Sequence, residues 1–127
     1  MTEKKEICRC MICGNIVEVL HEGDGTLVCC GQPMIRMREL EEEEGKEEKH
    51  KPVIESDEEG VIVRVGAVEH PMTEEHYIEW IEISTENGCS KKFLKPGDEP
   101  VAKFPIKVDV SKITTRAYCN LHGLWRS

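Results

Sequence analysis

Apolar positions along the chain fall in short runs broken by glycine, proline and charged residues, and the second half holds no lasting 3.6-residue apolar period. That pattern predicts strands rather than helices. In the first forty residues, runs at 16–20, 26–29 and 34–37 are separated by Gly14, Gly23, Gly25 and Gly31, the layout of a small all-β knuckle. Beyond His50, runs at 61–65, 77–83, 90–94, 101–110 and 114–119 are punctuated by Gly60, Asn87-Gly88 and Pro96-Gly97-Asp98. Ile106, Val108 and Val110 alternate and carry the fourth run to its end. Short strands at this spacing predict an antiparallel β-sandwich of immunoglobulin-like type. Between the two halves, seven of the ten residues 39–48 are glutamate, and Lys46 is the one basic residue. Such a block of like charge repels itself, which predicts an extended, solvated linker. The expected organisation is all-β: a metal knuckle over 1–38, an acidic linker over 39–49 and a sandwich over 50–127.

Length and composition narrow the chemistry. A unit of fewer than about 40 residues needs a metal or disulfides to hold it together. The chain has seven cysteines, an odd number, and opens Met-Thr-Glu-Lys-Lys-Glu without the apolar run of a secretory signal. A cytoplasmic location is therefore expected, with the thiols serving as metal ligands rather than disulfides. No stretch approaches the ~18 apolar residues of a membrane span. The formal charge of −8 argues against a nucleic-acid partner. It also means that an anionic substrate would need lysines beside its site.

Two constellations carry chemistry. Cys10-Met-Ile-Cys13-Gly14 sets two thiolates on a tight loop, and Cys29-Cys30 supplies a second pair. Four thiolates make a tetrahedral site for iron or zinc, and ligand types alone do not choose between them. Cys8 competes with Cys10 for one corner, and the two-residue gap to Cys13 favours Cys10. In the second half, Cys119-Asn120-Leu121-His122-Gly123 is a two-ligand clip for a transition metal, with Gly123 allowing a close turn. Any one histidine is more often a surface or core residue than a ligand. Here, however, His50 ends the acidic run, His70-Pro71 is a rigid turn and His76 opens a predicted strand, so three loop-edge imidazoles can converge on the clip. An electron carrier with incidental histidines, or a zinc-stabilised interaction module, are the rival readings; neither explains the pairing of Cys119 with His122.

The same residues carry a resemblance. Cys10-x-x-Cys13-Gly14 with Cys29-Cys30, Glu48-Lys49-His50, His70-Pro71-Met72, His76-Tyr77-Ile78-x-Trp80-Ile81-Glu82, Phe93-Leu94-Lys95-Pro96-Gly97 and Cys119-Asn120-x-His122-Gly123-x-Trp125 follow one another as in desulfoferrodoxin, the two-iron class of superoxide reductase. The chain resembles that family over essentially its whole length. The resemblance implies a desulforedoxin-like iron site at Cys10, Cys13, Cys29 and Cys30. It also implies a second, square-pyramidal iron held by His50, His70, His76 and His122 in the plane, with Cys119 axial and the sixth position open. By position, Glu48 is able to occupy that sixth place in the ferric state, and Lys49 lies beside it. Superoxide is the implied substrate, with a rubredoxin-type electron donor and a homodimeric assembly.

The implied ligand sets suit that chemistry. Four imidazoles and one thiolate leave ferrous iron at a formal charge of about +1, against about −2 for four thiolates, so the first of these holds its electron more tightly. Lys49 supplies the local positive charge that a −8 chain otherwise lacks, and it can position a water as proton source. Lys91, Lys92 and Lys95 add to that field or serve solubility. Cys8 and Cys89 are surplus to both sites.

Overall fold

Strands dominate, as the alternation requires. The computed structural model describes residues 1–42 and 46–127, and the chain divides into two units, Met1–Arg38 and Glu39–Ser127.

In the first unit, β1 (Ile7–Arg9) is the centre of a three-stranded sheet. It pairs antiparallel with β2 (Ile16–Glu18) on one side and β5 (Ile35–Arg36) on the other. A two-stranded ribbon, β3 (Val28–Cys29) with β4 (Gln32–Pro33), stands beside it in sequence. The strands are shorter than the apolar runs suggest, because the loops between them are committed to holding the cysteines.

The second unit is a sandwich. One layer has five strands in the order β10-β9-β12-β13-β6: β10 (Gly88–Phe93), β9 (Ile78–Thr85), β12 (Thr114–Cys119), β13 (Gly123–Arg126) and β6 (Glu39–Leu40). The other has three, β11 (Val101–Phe104), β8 (Gly60–Val65) and β7 (Pro52–Asp57). Val61, Val63 and Val65 alternate inward from β8 to meet Ile81 and Ile83 of β9 and Ala117 and Cys119 of β12, forming one core. Glu82 and Arg116 occupy the opposite face of their sheet, buried and ion-paired to one another.

Three expectations change. The run 101–110 is not one strand: β11 stops at Phe104 because Pro105 offers no N–H to a ladder. The chain resumes as a 3₁₀ turn, Val110–Lys112, whose Ser111 N–H donates to the Asp109 carboxylate at 2.9 Å, and Val108 and Val110 are exposed. The acidic stretch is not wholly a solvated linker. Glu39–Leu40 forms β6, which runs parallel to β13, and Glu39 reaches Arg116 at 3.0 Å. The turn α1 (Glu47–His50) closes the stretch, while residues 43–45 of the predicted linker lie outside the described residues. Strands β1, β4, β7 and β13 are additional to the predicted set. β7 has the pattern Pro-Val-Ile-Glu-Ser-Asp, and its hairpin is set by Asp57, whose carboxylate accepts the N–H groups of Glu59 and Gly60 at 2.8 and 3.1 Å.

Candidate metal centres

Four imidazoles of the second unit meet in a ring. The centroids of His50 and His70 are 4.6 Å apart, His70 and His76 4.6 Å, His76 and His122 4.9 Å, and His122 and His50 4.8 Å. Neighbouring rings are nearly perpendicular, at 75–84°, and the diagonal pair His50 and His76 is 6.2 Å apart. Four edges of similar length with one longer diagonal describe a near-square. The Cys119 sulfur lies within 4.8 Å of the ligand atoms of His50, His76 and His122, and at 3.8 Å from His122 Nδ1.

Each ring is turned by its neighbours. His50 Nδ1 bonds the Lys46 carbonyl at 2.7 Å and His70 Nδ1 the Pro71 carbonyl at 2.6 Å, so both present Nε2 to the centre, 3.1 Å apart. Fixing the outer nitrogen on a carbonyl sets the tautomer whose inner nitrogen carries a lone pair. His122 instead presents Nδ1, 3.0 Å from His50 Nε2. His76 Nε2 is buried and has no hydrogen-bond partner among the described residues. Such an orphan nitrogen is costly unless something else binds it. Burial holds the imidazoles of His50 and His76 below their ordinary pKa and that of His70 down to about 4, so all three stay neutral and able to ligate near neutrality. Burial pushes the Cys119 thiol up, against N–H bonds from His122 and Leu121 that lower it; a cation nearby would reverse that balance.

The backbone explains how distant residues meet. Between Tyr118 and Cys119 the pairing of β12 with β9 shifts, with Tyr118 opposite Trp80 and Cys119 opposite Ile78. This bulge re-aims the strand end where Cys119 sits. Asn120 then ties the clip to the His76 segment, its Oδ1 accepting from Tyr77 N–H at 2.9 Å and its Nδ2 donating to the Glu75 carbonyl at 3.0 Å. Gly123, at φ +89°, turns the chain straight back into β13. Trp125 is fully buried, stacks on His50 at 5.0 Å and donates to the His122 carbonyl at 3.1 Å. Glu48 and Lys49 are exposed on α1 beside His50, and the Lys49 charge contributes to lowering the His76 pKa.

In the first unit, the sulfurs of Cys10, Cys13, Cys29 and Cys30 lie within 4.8 Å of one another. Cys13 and Cys29 are 3.6 Å apart, Cys29 and Cys30 4.0 Å. Backbone N–H groups of Cys13 and Ile12 draw the Cys10 thiol down to about 6, while sharing hydrogens with Cys13 and Cys29 pushes Cys30 up to about 12. Cys8 is not in this group. It is buried, donates to the Glu6 carboxylate at 3.2 Å and is pushed up to about 11, chiefly by burial. Cys89 is exposed on β10, and His21 is exposed.

Comparison with known proteins agrees with this geometry. The family description "Desulfoferrodoxin" matches residues 42–127, and "Desulfoferrodoxin, N-terminal domain" matches residues 2–37. The chain belongs to the desulfoferrodoxin family. It is 56% identical over 127 residues to a desulfoferrodoxin homolog of Archaeoglobus fulgidus, covering 100% of this chain and 99% of that one. It is 55% identical to the desulfoferrodoxin of Nitratidesulfovibrio vulgaris, covering 100% and 98%. Among solved structures, the superoxide reductase from Treponema pallidum superposes with a TM-score of 0.76 at 27% identity, covering 100% of this chain and 99% of that one. The superoxide reductase of Pyrococcus abyssi is 37% identical over 99 residues, covering 65% of this chain and 86% of its own.

Sequence reading singled out the nine ligand candidates but not the groups that aim them. The Lys46 and Pro71 carbonyls and the clamp role of Asn120 went unread. Asn120 sits inside the Cys-x-x-His clip, and that placement was the available signal.

Proposed function

We propose that the chain is a superoxide reductase, reducing superoxide to hydrogen peroxide by one electron at an iron held by His50, His70, His76, His122 and Cys119. The observation that carries this is the ring of four imidazoles around one buried thiol, in a chain of the desulfoferrodoxin family. The donor set fits iron: three nitrogens of the ring are kept neutral, one is buried without a partner, and the thiol supplies a single negative charge. Bound ferrous iron supplies the electron and a coordination position for superoxide.

The chain's own residues do the rest. Lys49, exposed beside the ring, draws the anion toward a molecule of net charge −8 and offers it a hydrogen bond. Solvent water ordered by Lys49 delivers the protons that peroxide release requires. Glu48, exposed on the same turn, would be the carboxylate nearest in sequence that could ligate the iron. The carbonyls of Lys46 and Pro71 fix the imidazoles so that little reorganisation accompanies the change in charge.

Residues 1–38 form the four-cysteine iron domain and 39–127 the reductase domain, which carries the Glu-Lys turn near its start. Cys10, Cys13, Cys29 and Cys30 hold the second iron, and exposed Cys13 and Cys30 give a rubredoxin-type donor an edge at which electrons enter. The first unit also carries a groove of about 590 Å³ bordered by Val17, Leu20, Val28 and Met34, with Leu20 77% and Val28 60% exposed. Apolar surface of this kind is the usual ground for self-association, and a homodimer is proposed. Cysteines used as metal ligands rather than disulfides suit a reducing cytoplasm. Among the described residues no helix is long and apolar enough to cross a membrane.

Metal analysis with a visible spectrum tests the assignment. Two irons per chain and a coloured protein are expected, and Cys119→Ser should lose the band of the histidine centre and the reaction with superoxide while keeping that of the four-cysteine site. Zinc in both sites would favour an interaction module instead.

A further inference from the structure

Gly66 lies on the connection between β8 and β9, four residues before His70, and is buried. A Cβ built there would stand 2.7 Å from the Glu48 carbonyl oxygen, 2.8 Å from the Lys49 carbonyl carbon and 3.1 Å from the His50 nitrogen. Ordinary contact begins at 3.4 Å, and all three atoms are backbone, so no side-chain rotamer relieves the overlap. The same connection holds that turn by a hydrogen bond. Val68 N–H donates to the Glu48 carbonyl at 3.0 Å, while Gly66 N–H donates to the Val68 carbonyl at 3.2 Å and His70 N–H to the Val65 carbonyl at 3.0 Å. One short loop therefore carries His70 and forms the bed on which the backbone of Glu48, Lys49 and His50 rests.

We propose that Gly66 is a positioning residue for superoxide reduction, its bare α-carbon letting the Glu48–Lys49–His50 turn settle close enough to hold Lys49 beside the imidazole ring and His50 within it. The inference rests on the superoxide reductase reading. A methyl group at this point forces the turn outward by several tenths of an ångström. Lys49 and His50 then shift together, because they are adjacent on one backbone segment. The three atoms nearest to the added carbon all belong to that turn.

The test uses the full-length, iron-loaded, reduced protein. Rates of superoxide decay are measured against ionic strength for wild type, Gly66→Ala, Lys49→Ala and the double variant, with the visible band of the histidine centre recorded for each. Gly66→Ala is expected to slow the second-order reaction roughly tenfold, flatten its salt dependence and shift the band. On top of Lys49→Ala it should change the salt slope little, as coupled residues do, while the band still shifts through His50. A wild-type rate and salt slope in Gly66→Ala, or a salt slope that Gly66→Ala flattens further in the double variant, overturns the proposal. If Gly66→Ala does not fold, Val68→Pro removes the N–H that the Glu48 carbonyl accepts while leaving Gly66 in place. It should flatten the salt slope in the same way, and an unchanged slope overturns the proposal by that route. Should wild type itself leave superoxide untouched, the functional reading fails separately, and the band of Gly66→Ala alone decides whether Gly66 seats the His50 turn: shifted if it does, unmoved if it does not.

Discussion

Trp125 illustrates how a residue without chemistry of its own can set a metal centre. Its indole stacks on His50 and its Nε1–H fixes the His122 carbonyl, so one buried side chain steadies two corners of the imidazole ring. Trp125→Phe keeps an aromatic face but removes the donor. Loss of that hydrogen bond should cost about 1 kcal/mol in denaturant unfolding and shift the visible band of the histidine centre; unchanged stability and spectrum would show that Trp125 is packing alone. At this scale the ligand candidates were legible because Cys-x-x-Cys and Cys-x-x-His are spacings with a chemical meaning. The groups that orient them were not. The Lys46 and Pro71 carbonyls are backbone atoms present in every residue, and Gly66 matters only through what approaches it in space. The two-residue gap to Cys13 favoured Cys10 over Cys8, and the fold agrees, directing Cys8 to Glu6 and Cys10 to the cluster.

Among elements, the pairing of β9 with β12 carries the most consequence, since it links the segment after His76 to Cys119. A buried ion pair crosses it: Arg116 Nε bonds Glu82 and its Nη1 reaches Glu39 of β6 at 3.0 Å, joining three strands of one sheet. Glu82→Leu takes a buried carboxylate away from a buried guanidinium and should cost about 3 kcal/mol in chemical denaturation. Glu82→Leu combined with Arg116→Leu should recover most of that loss; a double variant as unstable as the single would mean that the pair stabilises the sheet in its own right. β8 could be read in sequence because Val61, Val63 and Val65 alternate inward, whereas β9 and β12 are buried on both faces and were legible as runs rich in β-branched and aromatic residues. β7 escaped because it opens on Pro52 and ends in the charged and polar Glu55, Ser56 and Asp57, and β13 because it is only four residues long and opens on Gly123. β6 escaped because two residues within a run of glutamates carry no period, and their pairing with β13 comes from tertiary contact. The bulge at Cys119 likewise has no sequence signature.

For the whole molecule, charge and surface give opposite instructions. A net charge of −8 keeps copies apart and repels the substrate, while exposed Leu20, Val28 and Ile35 on the first unit invite association. Sedimentation should find a dimer, and Leu20→Glu should shift it toward monomer; a wild-type protein that sediments as a monomer at micromolar concentration would remove the homodimer from the description. The two-part organisation gives each site its own scaffold: thiolates on tight loops in a unit too small to have a large core, and imidazoles on the strand ends and loops of a sandwich that has one. The activity is tested most directly by product stoichiometry. Reduced, iron-loaded protein is mixed anaerobically with a sub-stoichiometric pulse of superoxide, and hydrogen peroxide and oxygen are measured together. A reductase yields one peroxide for each superoxide consumed and releases no oxygen. Half that peroxide, with matching oxygen, would mean dismutation and would contradict the assignment.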